Sequence, residues 1–490
     1  MSKPRVRFAP SPTGSPHIGN IRTAVFDYLF AKHADGTFIL RVEDTDRTRY
    51  VENSLEEMMT GLRWLGMQWD EGPEVGGNYG PYFQSERLDI YHKYAQQLVD
   101  EGRAYYCYCS RERLEEMRKV QTAAKRPTGY DRRCRDLTDT QRQELAKECP
   151  TPVIRFKMKL EGRTELDDVV RGRIGFDNSL QDDFIIIKAD GFPTYHFACV
   201  VDDHFMQITH VFRGEEWLSS APKHVQLYEA LRWEQPTWVH STSILDTSGK
   251  RLAKRSGVST AFIDYIEQGY LPEAMLNFLA TMGWSAGEDK KLYSRAELIE
   301  KFNLEGIVNH PAIFDLAKLN DLNGEYIRML NVDELAEMIL PRLQEAGYVG
   351  GSPSDEEVVY LKDITALIQD RLVTLADAVD MVSYFYIDDF GYDEKGAKKH
   401  LAKESVPQAL KSVSDKLSCV QMWDVESIGT AVREGGAEHG LEGGHIIHPV
   451  RMAVTGRTWG PGLFELMHVL GKDRCIARLN RAAMEFDSRR

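Results

Sequence analysis

The stretch from Val6 to Val42 restricts the fold of this chain most sharply. Val6-Arg7-Phe8 reads as a short strand. Pro10, Pro12 and Pro16 then interrupt regular structure around Thr13-Gly14, because proline lacks the N–H that a strand or helix interior requires. From about His17 the apolar residues Ile18, Ile21, Val25 and Leu29 recur at helical spacing, and Gly36 stands where a helix stop is expected. Phe38-Ile39-Leu40-Arg41-Val42 reads as a second strand that runs into the acidic corner Glu43-Asp44-Thr45-Asp46. Strand, loop, helix and strand in this length make a βαβ unit. It places the proline-bounded loop at the carboxyl end of a strand, where open α/β sheets bind ligands.

The rest of the chain changes character in stages. A helix is expected over 54–65, and 105–149 reads as an insertion carrying a cysteine cluster and a helix around 112–120. Residues 153–187 are strand-rich, and strand and helix signals return over 194–232. Beyond about Val258, residues 271–282, 294–302, 332–344, 356–375 and 464–481 all read as helices. The expected fold class is therefore α/β: a parallel-sheet front, interrupted by an insertion, followed by an all-helical rear.

With 490 residues the chain is long enough for three to five domains of roughly 100–150 residues. Its 42% hydrophobic and 28% charged content is ordinary for a soluble protein. Apolar runs such as Phe184-Ile185-Ile186-Ile187 are too short to cross a bilayer, the N-terminus shows no signal-peptide pattern, and a cytoplasmic location is expected. Seven cysteines, an odd number thinly spread, argue against a disulfide framework. The net charge of −14 argues against nonspecific nucleic-acid binding but leaves room for a selective RNA partner held by local basic patches. Arg132-Arg133 with Arg135, Lys250-Arg251 with Lys254-Arg255, and 472–490 are such patches, and each alone reads as solvated surface charge.

Two distant segments carry phosphate chemistry. In the first, the start of the helix offers N–H groups and a partial positive charge. Thr13 and His17 add donors there, and Gly19 permits close approach. The same residues also suit a proline-rich turn with His17 as helix cap. In the second, Lys250, Arg251, Lys254 and Arg255 lie between Gly249 and Gly257. They can neutralise charge on a departing pyrophosphate, or simply form a solvated basic turn.

Taken together, the segments resemble the HIGH and KMSKS motifs of class I aminoacyl-tRNA synthetases. Phe8 to Gly14, Arg41 to Asp46, Thr194-Tyr195-His196, Val200 to His204, Arg213 to Trp217, Leu322 to Ile327, Val454 to Arg457 and Pro461 to Glu465 resemble bacterial-type glutamyl-tRNA synthetase across essentially the whole chain. The resemblance implies a glutamate–tRNA ligase that uses ATP with magnesium and L-glutamate, charges tRNA(Glu), and works as a monomer. It implies a Rossmann-type catalytic domain at 1–104 and 191–257, an acceptor-stem-binding insertion at 105–190, a stem-contact helical domain at 258–330 and a helical anticodon-binding region at 331–490. His17 and Lys254 are the implied catalytic residues. Thr13, His17, Gly19, Asn20, Arg251, Lys254 and Arg255 are the implied ATP site. Arg7, Ala9, Ser11, Glu43, Tyr195, Cys199 and Arg213 are the implied glutamate site, Arg7 offering a two-point fork to the side-chain carboxylate and Glu43 an anion to the ammonium. Arg451, Arg457 and Trp459, read as a turn-rich stretch, are anticodon candidates.

The chain departs from the family pattern in places. Asn20 replaces the final histidine of the first motif, Ala253 a usual serine of the second, and Cys199 a frequent asparagine. Cys107, Cys109 and Cys134 resemble the family's zinc knuckle, with Asp136 where the fourth ligand is usually histidine. A metal-free knuckle of three reduced cysteines is the alternative. A tRNA-modifying relative lacks a helical rear and glutaminyl-tRNA synthetase has a β-barrel there, so both fit less well. The remaining alternative is a catalytically impaired paralogue that binds tRNA.

Overall fold

The computed structural model of the chain describes residues 3–252 and 259–488. They cluster into two compact units, Met1–Asp264 with Met275–Leu316, and Tyr265–Ala274 with Ala317–Arg490.

In the first unit, β1 (Arg5–Phe8) leads through the proline loop into α1 (Ile18–His33) and on to β2 (Thr37–Leu40). β1 and β2 pair in parallel, with Arg7 opposite Ile39. Ile18, Ile21, Val25 and Leu29 are completely buried, so the apolar stripe read from spacing is the face that fixes α1. A Cβ at Gly36 would collide with the Pro4 carbonyl, and glycine there lets the chain leave α1 and close against the start of β1. Ser54, at the start of α2 (Ser54–Trp64), staples the proline loop. Its hydroxyl donates to the Gly14 carbonyl at 2.6 Å and accepts the Gly14 N–H at 3.3 Å.

After α3 (Leu88–Asp100) come β3 (Ala104–Cys107), α4 (Arg111–Ala123), α5 (Asp139–Glu148), β4 (Val153–Phe156), β5 (Arg163–Asp168), β6 (Gly172–Asp177) and β7 (Ile185–Ile187). Strands β3, β4 and β7 form an antiparallel sheet of their own. The chain then returns through α6 (Tyr195–Phe205), β8 (His210–Gly214), α7 (Ala221–Leu231), β9 (Thr237–Ser241) and β10 (Ile244–Leu245). The main sheet runs β6-β5-β9-β8, with β8 and β9 parallel. β1 lies alongside β8, where the Thr209 N–H donates to the Arg5 carbonyl at 2.9 Å. The hairpin β5–β6 reaches this sheet through one parallel pair, Asp168 opposite Trp238.

In the second unit the described regular structure is helical. Val406–Ser418 packs against Val425–Ala437 and Lys472–Ser488 through a stripe that includes Leu410, Val413 and Leu417. Two expected helices differ from the sequence reading. The helix expected over 356–375 ends at Ile368 and passes into a tight turn, Gln369–Arg371. The helix expected over 464–481 is two helices, Leu463–Leu470 and Lys472–Ser488, broken at Gly471 with φ +92°. A continuous apolar period cannot reveal such a break, and a single glycine suffices to make it. Among the described residues no helix is long and apolar enough to cross a membrane.

Candidate active site

A cleft of about 560 Å³ opens at the carboxyl ends of four parallel strands. Phe8, Ala9, Pro10 and Ser11 reach it from β1, Glu43 from beyond β2, Arg213 and Gly214 from β8, and Thr242 and Ser243 from beyond β9. This is where an open α/β sheet presents ligand-binding groups. Of the residues read as ATP-binding, Thr13, His17, Gly19, Asn20 and Arg251 line it. Of those read as glutamate-binding, Arg7, Ala9, Ser11, Glu43, Tyr195 and Arg213 line it. Cys199 sits behind the wall, almost fully buried. Ala253, Lys254 and Arg255 lie outside the described residues.

The chain on either side of 253–258 borders the start of α1. Leu252 donates its N–H to the Ile244 carbonyl at 3.0 Å, and both residues line the cleft. After residue 258, the Phe262 N–H donates to the Pro16 carbonyl at 2.9 Å and the Ile18 N–H to the Thr260 carbonyl at 3.1 Å.

The start of α1 differs from the sequence expectation in one respect. Its first N–H groups are not free. Ile18 N–H is taken by Thr260, Gly19 N–H by the His17 ring at 3.1 Å, and Asn20 and Ile21 N–H by the His17 carbonyl at 2.8 and 3.1 Å. A phosphate here meets side chains and the helix dipole rather than open backbone donors. His17 is a helix cap, and the cap shapes its chemistry. Because Nδ1 accepts from Gly19, the proton of the neutral ring resides on Nε2. A Cβ at Gly19 would make only ordinary contacts, 3.5 Å to His17 Nδ1 and 4.0 Å to Ile244 Cδ1, so the fold itself does not demand glycine there.

The floor of the cleft is a buried charge network. Arg7 donates from Nε and Nη2 to the Asp203 carboxylate at 2.9 and 3.3 Å, and Arg41 donates to the same carboxylate at 2.7 Å. The fork of Arg7, expected to face a substrate carboxylate, is thus engaged within the protein, because Asp203 on α6 already supplies its counter-charge. Burial opposes ionisation of Asp203, yet Arg7 and Arg41 together hold it below the usual carboxylate range. Arg41 also donates to Glu43 at 3.1 Å. Burial pushes the Glu43 carboxyl up to about 7 against the pull of Arg41 and Arg7. Burial likewise raises the Cys199 thiol to about 12, so it is neutral at pH 7. Asp27, on α1, lines the cleft fully buried, with neither carboxyl oxygen hydrogen-bonded among the described residues. Its burial raises its pKa well above the ordinary value.

Arg213 is held differently. Its Nε donates to His240 Nε2 at 2.8 Å and its Nη1 to His224 Nδ1 at 3.4 Å, while the guanidinium lies 4.8 Å over the Trp238 ring. Its buried Nη2 has no hydrogen-bond partner among the described residues. Tyr195 and Trp217, ring centroids 4.6 Å apart, flank this side of the cleft.

In the insertion, the sulfurs of Cys107, Cys109 and Cys134 lie within 4.8 Å of one another, Cys109 and Cys134 at 3.6 Å. Two Zn–S bonds of about 2.3 Å at a tetrahedral angle set sulfurs about 3.8 Å apart, so the spacing fits zinc. Hydrogen bonds from Cys109 and Cys134 favour the thiolate at Cys107, the form that binds metal. Asp136 does not join them. Its carboxylate is largely exposed and lies 3.5 Å from Lys157. The oxygen placed against the sulfurs is the Tyr130 hydroxyl, 3.3 Å from Cys107 and 3.6 Å from Cys109.

Asp27, Arg41, Asp203, His224 and His240 were not singled out by sequence reasoning. Arg41 and Asp203 lie in quoted motifs and carried that signal, whereas the two histidines have no local motif. In the second unit, Arg451 is helical, within Gly444–Thr455, rather than in a turn. Arg457 is committed to Asp380, at 2.7 and 3.0 Å, while Trp459 is about half exposed. Arg474 and Arg478 of the C-terminal basic stretch both bond Asp388, so these two are not a free cationic surface.

A strand-end cleft with a capped helix start on one side and buried arginines on the other suits a ligand that carries anionic groups. The family model for the catalytic domain of class I tRNA synthetases (E and Q) matches residues 3–321, and that for an anticodon binding domain matches 334–483. The glutamate–tRNA ligase of Moorella thermoacetica is 44% identical over 99% of this chain and 98% of its own length. That of Dehalococcoides mccartyi is 47% identical over 98% and 97%. The crystal structure of a glutamate–tRNA ligase from Elizabethkingia meningosepticum, in complex with its amino acid, superposes with a TM-score of 0.89 at 36% identity, covering 99% of each chain. The chain belongs to the glutamate–tRNA ligase family of class I tRNA synthetases.

Proposed function

We propose that this chain activates L-glutamate with ATP and transfers it to the 3′-terminal adenosine of tRNA(Glu). A glutamate α-carboxylate oxygen attacks the α-phosphorus of ATP. The bond to the bridging oxygen breaks, and pyrophosphate leaves with glutamyl-adenylate remaining. The terminal 2′-hydroxyl then attacks the activated carbonyl, its proton is lost, and AMP departs. The nucleophile of the first step is already ionised, so no protein base is required. Positioning and placed charge carry the catalysis.

The observation that carries this reading is the shared cleft: Thr13, His17, Gly19, Asn20 and Arg251 line the same space as Arg7, Glu43 and Arg213. His17, with its proton on Nε2, donates to an ATP phosphate beside Thr13 and Asn20. Arg251, Lys254 and Arg255 neutralise the departing pyrophosphate, ATP entering as its magnesium complex. Glu43 binds the ammonium. Arg213, supported by Arg7, binds the side-chain carboxylate, with Ala9, Ser11, Tyr195 and Cys199 shaping the pocket.

The domain assignments made from the resemblance stand in this proposal, with 105–190 on the acceptor stem and 331–490 on the anticodon, in a cytoplasmic monomer. Where zinc is bound, Cys107, Cys109 and Cys134 hold it, Tyr130 supplies the adjacent oxygen, and the ion stiffens the insertion. Glutamate-dependent ATP–pyrophosphate exchange, run with tRNA, tests the proposal; exchange absent with both would refute it.

A further inference from the structure

Arg7 and Arg213 are both buried arginines at the cleft, yet they are anchored by opposite chemistry. Arg7 is met by a carboxylate, so much of its charge is cancelled inside the protein. Arg213 is met by two imidazoles and an indole face, none of them anionic.

The proton positions follow from the donors. Arginine only donates, so His240 Nε2 and His224 Nδ1 must both present lone pairs. His240 then carries its proton on Nδ1, which meets Asp168 at 2.6 Å. His224 carries its proton on Nε2, which meets His196 Nδ1 at 3.0 Å. Both rings are neutral in this arrangement. Burial lowers both, that of His224 well below the ordinary value with Arg213 and His196 adding to it. The sheet itself sets the alignment. Arg213 is opposite His240 in the β8–β9 register, and the Asp168 carboxylate accepts the His240 backbone N–H at 3.1 Å as well as its ring proton. The one acid in this chain of contacts is thus kept a full imidazole away from the guanidinium.

We propose that His224 and His240 are positioning residues that fix Arg213 with neutral lone pairs, so that its charge, met by no directly bonded acid, and its Nη2, unpaired among the described residues, select the side-chain carboxylate of the substrate over an amide. This rests on the reading of Arg213 as the carboxylate-binding cation. A buried cation with no direct ion-pair partner among the described residues is costly to keep, and a bound carboxylate relieves that cost. An amide relieves much less of it. A carboxylate in place of either imidazole would fix Arg213 equally well but would compete with the substrate for its charge.

The test compares isosteric variants of His224 in tRNA charging, with KM measured separately for glutamate and ATP and with glutamine as the competing amino acid. His224→Asn offers a neutral oxygen near the place of Nδ1, and His224→Asp offers a charged one of the same size. His224→Asn is expected to keep KM for glutamate within about threefold, whereas His224→Asp raises it at least about tenfold, leaves KM for ATP within about twofold and narrows the preference over glutamine. Equal effects of Asn and Asp, or equal rises in both KM values, overturn the inference. If the Asp variant does not fold, the same comparison with His240→Gln and His240→Glu decides it by the same criteria. Failure of the wild type to charge tRNA with glutamate would instead overturn the proposed function, and this inference with it.

Discussion

The ring of His17 accepts the Gly19 N–H at its Nδ1, 3.1 Å away, and that bond places the remaining ring proton on Nε2. Capping and the proposed phosphate contact are thereby separable in one residue. His17→Asn keeps an oxygen cap but has no Nε2–H. It should melt within about 0.5 kcal/mol of the wild type, since asparagine is a good cap. Pyrophosphate exchange should fall about 10²–10³-fold, as for other lost charge-stabilising donors. Thermal melts and exchange rates measured side by side check this; an unimpaired rate removes His17 from the phosphate site.

Gly19 has room for a methyl group as far as the protein is concerned. Gly19→Ala should therefore fold, with stability unchanged or raised by up to about 1 kcal/mol from helix propensity. Its KM for ATP should rise at least about tenfold because the added carbon occupies ligand space. A KM for ATP equal to the wild-type value would mean that no nucleotide approaches this residue.

Glu43 titrates near the working range, its carboxyl raised to about 7 by burial against the pull of Arg41 and Arg7. In the proposed role the ionised form pairs with the substrate ammonium, and protonation abolishes that pairing. At saturating ATP, KM for glutamate should rise roughly tenfold as pH falls from about 8 to about 6. Glu43→Gln should show a high KM with no such slope. A wild-type KM that is flat over this range contradicts the assignment.

Burial pushes the Asp27 carboxyl well above its ordinary value in the folded state. The unfolded chain loses the carboxyl proton near the ordinary value, so stability present at low pH is lost as pH rises toward the folded pKa. Asp27→Asn has no such titration. Its melting temperature relative to wild type should climb steadily from pH 4 to pH 8. A constant difference across that range would show that Asp27 is ionised in the fold.

How much of this was legible in sequence depends on how local each signal is. Prolines and a glycine punctuate the loop before α1, and the apolar period of α1 identifies its buried face, so both are visible in a few residues. Arg41 and Asp203 lie in recognisable motifs, but their pairing with Arg7 arises only when β1, β2 and α6 meet. His224 on α7 and His240 on β9 share no spacing rule, and strand register brings one of them to Arg213. Asp136 stands two residues after Cys134, as a ligand would, yet the chain turns it toward Lys157 and brings Tyr130 to the sulfurs instead. Gly471 is one glycine among many in sequence, and only its backbone angle marks it as a helix break.

In the proposed reaction the capped start of α1 and the basic segment around Lys254 act on one triphosphate. Glutamate-dependent ATP–pyrophosphate exchange in the presence of tRNA, measured for the wild type and Lys254→Ala, tests it most directly. Robust exchange is expected in the wild type, with a loss of about 10²–10³-fold in the variant at unchanged melting temperature. Equal rates in the two proteins would contradict it.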